Sequence, residues 1–155
     1  YMFLCSSHDY VMFFTNMGRV YRLKCFEIPE GSRYTREYMV SALVSEQHED
    51  GSFGFGDRSD IDMTGMALHA LAPYSDDPEI KAVIDAGIEF LSSAQNGDGT
   101  FDGMGGKTSE SASQVIIALC ANGIDPRTDE RFIKHGTSVY TALFEFRQKD
   151  KTFSF

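Results

Sequence analysis

The sequence predicts a mainly α-helical chain of repeated helical hairpins, preceded by a short β-hairpin. Shifting the sequence by 48 positions superimposes eight residues of one stretch on identical residues of another, without a gap. Repeats of about this length usually build stacked helical hairpins, because each is too small to bury its own apolar face. A separate stretch near the start alternates polar and apolar residues with period two, which is typical of a strand.

Apolar residues within the repeats recur at helical spacing, as at Met39, Val40, Leu43 and Val44. Such spacing places them on one face of a helix. A third, weaker copy lies 52 positions after the second and retains four of its residues: Leu143, Asp150, Thr152 and Phe153. The pattern predicts five helices, near residues 35–47, 60–72, 78–94, 108–122 and 128–147.

Short polar motifs predict where several helices begin and end. Asp77, Pro78 and Glu79 are an N-cap, a proline at the first helical position and an acid that faces the helix dipole. The Asp-Pro pair at residues 125–126 repeats the N-cap aspartate and the proline that follows it. The Asn-Gly pair at residues 122–123 predicts a left-handed stop at the end of a helix.

A glutamine precedes an Asp-Gly turn in both strong copies. Gln47 precedes residues 50–53 (Asp-Gly-Ser-Phe), and Gln95 precedes residues 98–101 (Asp-Gly-Thr-Phe). The turn lets the chain reverse, and the glutamine amide can bond the turn's free backbone groups. We expect the phenylalanine to fold back between neighbouring helix pairs. This pattern resembles the QW-type turn of squalene cyclases, with phenylalanine in place of tryptophan.

Residues 60–74 read DIDMTGMALHALAPY. With the turns, this run resembles the prenyltransferase and squalene-oxidase repeat that builds the α/α toroid, most closely the versions in secreted or surface proteins of Gram-positive bacteria. The resemblance covers residues 35–155 and implies an incomplete α/α toroid of about two and a half repeats. It also implies an extracellular or cell-surface location and a longer parent protein, whose remaining repeats are expected partners.

Two aspartates at the start of the second predicted helix have two interpretations. Class II terpene cyclases carry a D-x-D-D-T motif, and a similar role here makes Asp62 a proton donor with Asp60 beside it, although Met63 replaces the final aspartate. That chemistry needs a partner acid in a dry cavity. The internal repeat instead aligns Asp60 with Thr108, and both residue types are good N-caps. It aligns Asp62 with Glu110, and an acid in the first turn stabilises either helix.

Ligand binding stays open through a similarity of residues 63–67 to the helical domain of cobalamin carriers. The candidate contacts are His69 and Tyr74, with ordinary packing as the alternative, and the candidate ligands are a peptide, a carbohydrate or cobalamin. The sequence predicts no cofactor and no metal. Cys120 and the histidines lack the spacing of zinc ligands, and Lys107 occupies the position where a calcium loop needs a glutamate.

The first part of the chain has a different character. Residues 10–26 predict a β-hairpin with a turn at 16–18. Residues 8–33 closely resemble the C-terminal region of the A subunit of DNA gyrase, where such a segment is part of a β-pinwheel blade that wraps DNA. The resemblance implies a cytoplasmic location and DNA contacts by Arg19, Arg22 and Lys24. We expect residues 1–33 to be a gyrase-like fragment joined to an unrelated helical segment at 35–155, which makes the chain a chimera.

Charge limits the partners of the second part. The net charge is −9, and residues 35–155 hold 10 basic and 20 acidic side chains, which opposes general binding to nucleic acid or anionic membranes. No apolar run reaches the ~20 residues of a membrane span. The sequence therefore favours a non-catalytic interaction or ligand-binding repeat module. The alternatives are a fragment of a terpene-cyclase-like enzyme that uses Asp62, and a DNA gyrase fragment that acts on DNA through residues 1–33.

Overall fold

Helices and short antiparallel hairpins alternate along the chain, and about half of it is helical. The computed structural model describes residues 6, 8–14, 20–27, 33–103 and 105–153. Contacts divide the chain into two compact units, one up to Met39 and the other from Val40. The mainly helical class with a preceding β-hairpin is therefore confirmed, and the incomplete toroid stays a prediction.

The first unit contains the predicted β-hairpin. Strands β1 (Tyr10–Phe14) and β2 (Val20–Lys24) pair antiparallel, with Tyr10 opposite Lys24 and Met12 opposite Arg22. A 3-10 turn follows at Cys25–Glu27. The predicted hairpin is confirmed within the described residues, and its predicted turn at 16–18 lies outside them.

Helix α1 (Arg33–Ser45) crosses the division between the two units. The second unit then adds four helices, three small hairpins and three 3-10 turns. The helices are α2 (Ile61–Leu71), α3 (Pro78–Ala94), α4 (Ser109–Ala121) and α5 (Val139–Leu143). The hairpins are β3 (Phe53–Phe55) with β4 (Arg58–Asp60), β5 (Asp102–Gly103) with β6 (Gly106–Lys107), and β7 (Ile133–Lys134) with β8 (Thr137–Ser138). The 3-10 turns are Ala72–Tyr74, Glu130–Phe132 and Phe144–Phe146.

Helices α2, α4 and α5 form a row, because α2 packs on α4 and α4 packs on α5. Asn122, at the end of α4, donates to the carbonyl oxygen of Leu68 near the end of α2 at 3.2 Å, so these two helices run parallel. Helix α3 packs on α2. Large side chains from α2, α3, α4 and two turns meet in one core, which includes Leu68, Leu71, Ile84, Leu91, Phe101, Val115, Leu119 and Phe132.

The three Asp turns have the same geometry, which supports the internal repeat. Asp50, Asp98 and Asp150 each accept hydrogen bonds from the amide and the hydroxyl two residues later, at 3.0–3.1 Å and 2.6 Å. The predicted glutamine bonds are present, from Gln47 to the carbonyl oxygen at residue 51 and from Gln95 to that at residue 99, at 2.9 and 3.0 Å. The phenylalanines of both strong copies are buried, as expected.

Two predictions for the third copy are wrong. A helix was expected over residues 128–147, but residues 133–138 form a hairpin and α5 occupies only Val139–Leu143. The cause is the pair His135 and Gly136, whose φ angles of +48° and +85° suit a two-residue hairpin turn and end any helix. Asp125 does not cap a helix and instead accepts from the amide of Arg127 at 2.9 Å.

Candidate functional site

The N-termini of α2, α4 and α5 are built alike. Each helix follows a small hairpin, and the last residue before the helix is its N-cap. The side chains of Asp60, Thr108 and Ser138 accept a hydrogen bond from the amide three residues later, at 2.9, 3.1 and 3.1 Å. One rule therefore explains an aspartate, a threonine and a serine at equivalent positions.

Asp62 lies in the first turn of α2 and is half-buried. Its Oδ1 atom is buried and has no hydrogen-bond partner among the described residues. Its Oδ2 atom would lie 3.7 Å from a Cβ built on Gly103, and Oγ of Ser111 would lie 2.6 Å from the same Cβ. Within the described chain no hydrogen bond joins Asp62 to Asp60, so the geometry lacks the paired acids that strengthen a proton donor. Proton donation by Asp62 stays a prediction.

An apolar pocket with a volume of about 340 Å³ opens beside α2. Met63, Met66, Ala67 and Ala70 line it from α2 at the spacing of one helix face. Glu46 is the acidic side chain that also reaches its wall. Leu43 and Phe53 complete the apolar lining. Methionine side chains adapt to differently shaped partners, so this surface suits an apolar group more than a polar ion.

The candidate ligand contacts of the sequence analysis lie elsewhere. His69 is exposed in the last turn of α2, and Tyr74 is half-buried in the 3-10 turn that follows. Neither residue lines the pocket. Sequence analysis did not name Met66 as a site residue, although the i, i+3, i+4, i+7 spacing of residues 63, 66, 67 and 70 carried the signal.

The Asp turns concentrate hydrogen bonds on their carboxylates. In the first copy the Ser52 hydroxyl is the main cause that lowers the pKa of Asp50. In the second copy the ammonium group of Lys107 is the main cause that holds the pKa of Asp98 far below its usual range, and Thr100 adds to it. These carboxylates are therefore charged acceptors that hold the turns together, which is a structural task.

The part of the chain that the structure describes holds neither a cluster of metal ligands nor a membrane-spanning helix. Across residues 8–14, 20–27, 33–103 and 105–153, His, Cys, Asp and Glu side chains form no group of three that could hold a metal ion. None of the helices that the structure describes has the length and apolar character needed to cross a membrane.

The β-hairpin of the first unit presents basic and aromatic side chains together. The guanidinium carbon of Arg22 lies 4.3 Å from the ring centroid of Tyr10, and Nζ of Lys24 lies 5.6 Å from the same centroid. Tyr10 is about half exposed, with 52% of its surface accessible. Arg19, the third candidate DNA contact, lies outside the described residues. Arg22 and Lys24 thus place two cations beside one exposed ring, and such cations are the groups that phosphates bind.

Comparison with known proteins finds a partial likeness. The chain is similar to the A subunit of DNA gyrase from Mycolicibacterium smegmatis (strain ATCC 700084 / mc(2)155), with 48% identity over 50 residues, which are 32% of this chain and 6% of the relative. It is also similar to the A subunit of DNA gyrase from Staphylococcus aureus (strain MRSA252), with 51% identity over 45 residues, 28% of this chain and 5% of the relative. The chain thus spans about a twentieth of the length of these curated relatives.

Two further comparisons give no match. No family model matches this chain, and no solved structure matches it. The expected likeness to the gyrase A subunit is confirmed for part of the chain, and at 50 residues it is longer than the 33 residues for which it was expected. The likeness to the toroid repeat stays a prediction.

Proposed function

We propose that residues 35–155 are a non-catalytic interaction module of the α/α-toroid type, from a secreted or surface protein of a bacterium. The observation that carries this proposal is the shared N-cap of α2, α4 and α5. Asp60 performs at α2 the same task that Thr108 and Ser138 perform at the other two helices. An aspartate with that structural task needs no catalytic explanation.

The pocket beside α2 is the surface on which this module binds. It is apolar, and Met66 at its edge is 57% exposed. Met66 and the pocket lining form one contiguous apolar surface, and such surfaces mark interaction sites. The proposed occupant is an apolar group of a partner, such as a peptide side chain, the apolar face of a sugar ring or part of cobalamin.

A binding measurement tests this proposal. The full chain is titrated with the dye 1-anilinonaphthalene-8-sulfonate, which fluoresces on exposed apolar surface, and then with peptides, oligosaccharides and cobalamin. We expect binding that Met66→Gln weakens about tenfold, because the variant places a polar side chain in the apolar pocket wall. Glutamine is chosen because it is the residue at the equivalent position of α4. Ile117→Gln is the matched control, since Ile117 is also exposed and apolar but lies on α4. Binding that ignores Met66→Gln contradicts the proposal.

A second assay separates the module from an enzyme. The chain is incubated with a polyprenyl substrate, and we expect no cyclised product because Asp60 and Asp62 form no hydrogen-bonded acid pair within the described chain. Product that disappears in Asp62→Asn would make the chain a terpene-cyclase fragment and remove the interaction module as its primary role.

We also propose that the gyrase-like part of the chain contacts DNA. The support is the likeness to the gyrase A subunit and the face formed by Tyr10, Arg22 and Lys24. Retardation of a DNA duplex at low salt should decrease in a double variant, Arg22→Gln with Lys24→Gln, and should fall steeply as salt rises. The double variant Lys149→Gln with Lys151→Gln removes the same charge from the other unit and is expected to leave retardation unchanged.

The joining of the two parts has its own test. We propose that the gyrase-like part and the helical repeats come from unrelated proteins, because their resemblances imply different compartments. The 50 matched residues are more than residues 1–33 can hold, so the gyrase-like part reaches past residue 33. Reading the encoding DNA from codon 30 through the first helical repeat in the source organism distinguishes a natural fusion from two separate genes. Two separate genes would leave the DNA contact and the helical module as functions of different proteins.

A further inference from the structure

Two asparagines of the second unit are followed directly by glycine, at residues 96–97 and 122–123. Asparagine is thermally labile, most of all before glycine, which has no side chain to shield its backbone nitrogen. That nitrogen attacks Cγ of the asparagine and forms a C–N bond, and the side-chain nitrogen leaves as ammonia with the proton that the attacking nitrogen loses. Water then opens the resulting succinimide ring to aspartate or isoaspartate, whose backbone runs through the side chain.

The second pair, Asn122 and Gly123, is held by three hydrogen bonds. Nδ2 of Asn122 donates to the carbonyl oxygens of Ala118 and Leu68, at 2.9 and 3.2 Å. The amide of Gly123 donates to the carbonyl oxygen of Cys120 at 3.1 Å. Both the leaving group and the attacking nitrogen are therefore engaged, and the reaction has to break these bonds before the succinimide ring can close.

The first pair, Asn96 and Gly97, is restrained far less. Among the described residues, Nδ2 of Asn96 donates to Oγ1 of Thr100 alone, at 3.2 Å. The amide of Gly97 donates no hydrogen bond within the described part of the chain, and Gly97 is exposed. The attacking nitrogen is thus free and open to water, and one hydrogen bond holds the leaving group.

The three Asp turns hold different residues at the position of Asn96. His48 stands there in the first turn and Gln148 in the third, and all three backbone amides donate to the carbonyl oxygen four residues later, at 2.7–2.9 Å. Nδ1 of His48 lies 3.0 Å from Oγ of Ser52, so the imidazole takes the place of the Asn96 amide. Neither His48 nor Gln148 precedes a glycine. Among these turns, the reactive pair therefore occurs in the second turn alone.

Deamidation removes a hydrogen bond that only the asparagine can make. The Thr100 hydroxyl has one hydrogen, which it donates to Oδ1 of Asp98 at 2.6 Å, so it can only accept from residue 96. The Asn96 amide donates to it, whereas a carboxylate cannot donate and brings a second negative charge to the same hydroxyl. Isoaspartate also adds a backbone carbon to the turn that the amide of Gly99 closes on the carbonyl oxygen of Asn96, at 2.9 Å.

The second turn also holds the third copy of the repeat in place. Nδ1 of His135, in the turn between β7 and β8, donates to the carbonyl oxygen of Gly97 at 2.9 Å. An added Cβ on Gly97 would lie 3.0 Å from Cε1 of His135, so the two turns are in close contact. Phe101, which follows the second turn, is fully buried. A change at Asn96 therefore reaches both the core and the β7–β8 hairpin.

We propose that Asn96 is a modification site, where spontaneous deamidation slowly converts the second turn and loosens its contact with the β7–β8 hairpin. The reaction needs water alone as co-reactant. It does not depend on whether residues 35–155 bind a partner. Asn122 keeps its amide in the folded chain, although it has the same neighbour.

Peptide mapping by mass spectrometry of the full chain, incubated at mildly alkaline pH, tests the proposal. In the folded chain Asn96 should convert at least about tenfold faster than Asn122, because fewer hydrogen bonds have to break. In urea the two pairs should convert at similar rates. Asn96→His copies the first turn, so its peptide should give no product and its melting temperature should stay constant during the incubation.

The effect on the turn has a separate measurement. Asn96→Asp imitates the aspartate product, and hydrogen exchange at the amide of Gly99 should become about 3- to 10-fold faster, while exchange in α2 stays unchanged. Three results overturn the proposal. They are conversion of Asn122 as fast as Asn96 in the folded chain, the same preference for Asn96 in urea, and exchange in Asn96→Asp that equals that of the parent.

Discussion

The side-chain amide of Gln95 donates to the carbonyl oxygen of Phe132 at 3.2 Å, across 37 residues of sequence. The same nitrogen donates to the carbonyl oxygen of Gly99 at 3.0 Å. One buried side chain thus ties the end of α3 to its own turn and to the third copy. Gln47 makes the equivalent pair of bonds to Gly51 and Val83, at 2.9 and 2.8 Å, but it is only half-buried.

Gln95→Ala should therefore destabilise the second unit more than Gln47→Ala does. Removing Gln95 leaves two carbonyl oxygens without a partner in a site where water does not reach, which costs about 1–3 kcal/mol. Water can replace part of the Gln47 bonds, so its loss should cost about 1 kcal/mol or less. Urea unfolding measures both values, with Gln148→Ala on the surface as a control within about 0.5 kcal/mol of the parent. Equal losses for the two glutamines would contradict the role of burial.

Gly54→Ala should open the hairpin β3–β4. A Cβ on Gly54 would lie 1.8 Å from the carbonyl oxygen of Arg58 on the partner strand. Because backbone cannot give way by that much, the strands must separate and expose Phe53, and we expect a loss of more than about 3 kcal/mol. Gly56→Ala lies in the same hairpin at φ +58° with open space around it, and the left-handed backbone alone should cost about 1–2 kcal/mol. Thermal unfolding of both variants measures the difference.

The features that the sequence predicts correctly are those with a local signal. The turn at residues 98–101 requires only neighbouring residues, so Asp98, Gly99 and the glutamine before them predicted its bonds. The N-cap Asp77 was equally local and is confirmed by its bond to the amide of Glu79 at 2.9 Å. The start of α4 was correct to one residue, because Thr108 caps the helix as its residue type predicts.

The features that the sequence does not predict are those that depend on packing or on a short hairpin. Apolar residues flank the turn on both sides, at 132–133 and from 139 onward, but His135 and Gly136 between them turn the chain in a way that a helix cannot follow. The apolar pocket depends on Phe53 from a hairpin and Leu43 from α1, which lie near α2 only after folding. Its half on α2 was readable from spacing, and its other half was not.

Lys151→Gly should stabilise the third turn. Lys151 has φ +71°, whereas the equivalent positions of the first two turns hold Gly51 and Gly99, both at φ +87°. A left-handed residue with a side chain costs about 1–2 kcal/mol, and glycine removes this cost. Glycine also raises the conformational entropy of the unfolded chain, which offsets part of the stabilisation, so we expect a net gain of about 0.5–1 kcal/mol. Hydrogen exchange at the amide of Lys151, which donates to the carbonyl oxygen of Gln148 at 3.0 Å, measures the local effect. Faster exchange in the glycine variant contradicts the prediction.

Acid should unfold the second unit partly through Asp98. The hydrogen bond from Lys107 is the main cause that lowers the pKa of Asp98 in the folded chain. The unfolded chain then binds the proton more readily, so stability is complete above the unfolded pKa of about 4 and is lost as pH falls through the lower folded pKa. Melting temperatures between pH 6 and pH 2 should fall less steeply in Asp98→Asn than in the parent. Asp76→Asn, an exposed residue in a loop, serves as the charge-matched control and should follow the parent.

Asp60→Thr should leave stability and any binding close to those of the parent. Threonine already caps α4, where the hydroxyl of Thr108 accepts the amide of Ser111 at 3.1 Å, and it can accept the amide of Met63 in the same way at α2. Asp60→Ala removes the acceptor and should cost about 1 kcal/mol. Thermal unfolding of the three chains gives the comparison. If Asp60→Thr proves as damaging as Asp60→Ala, the carboxyl group itself is needed at this position, and the interpretation of Asp60 as a structural cap is wrong.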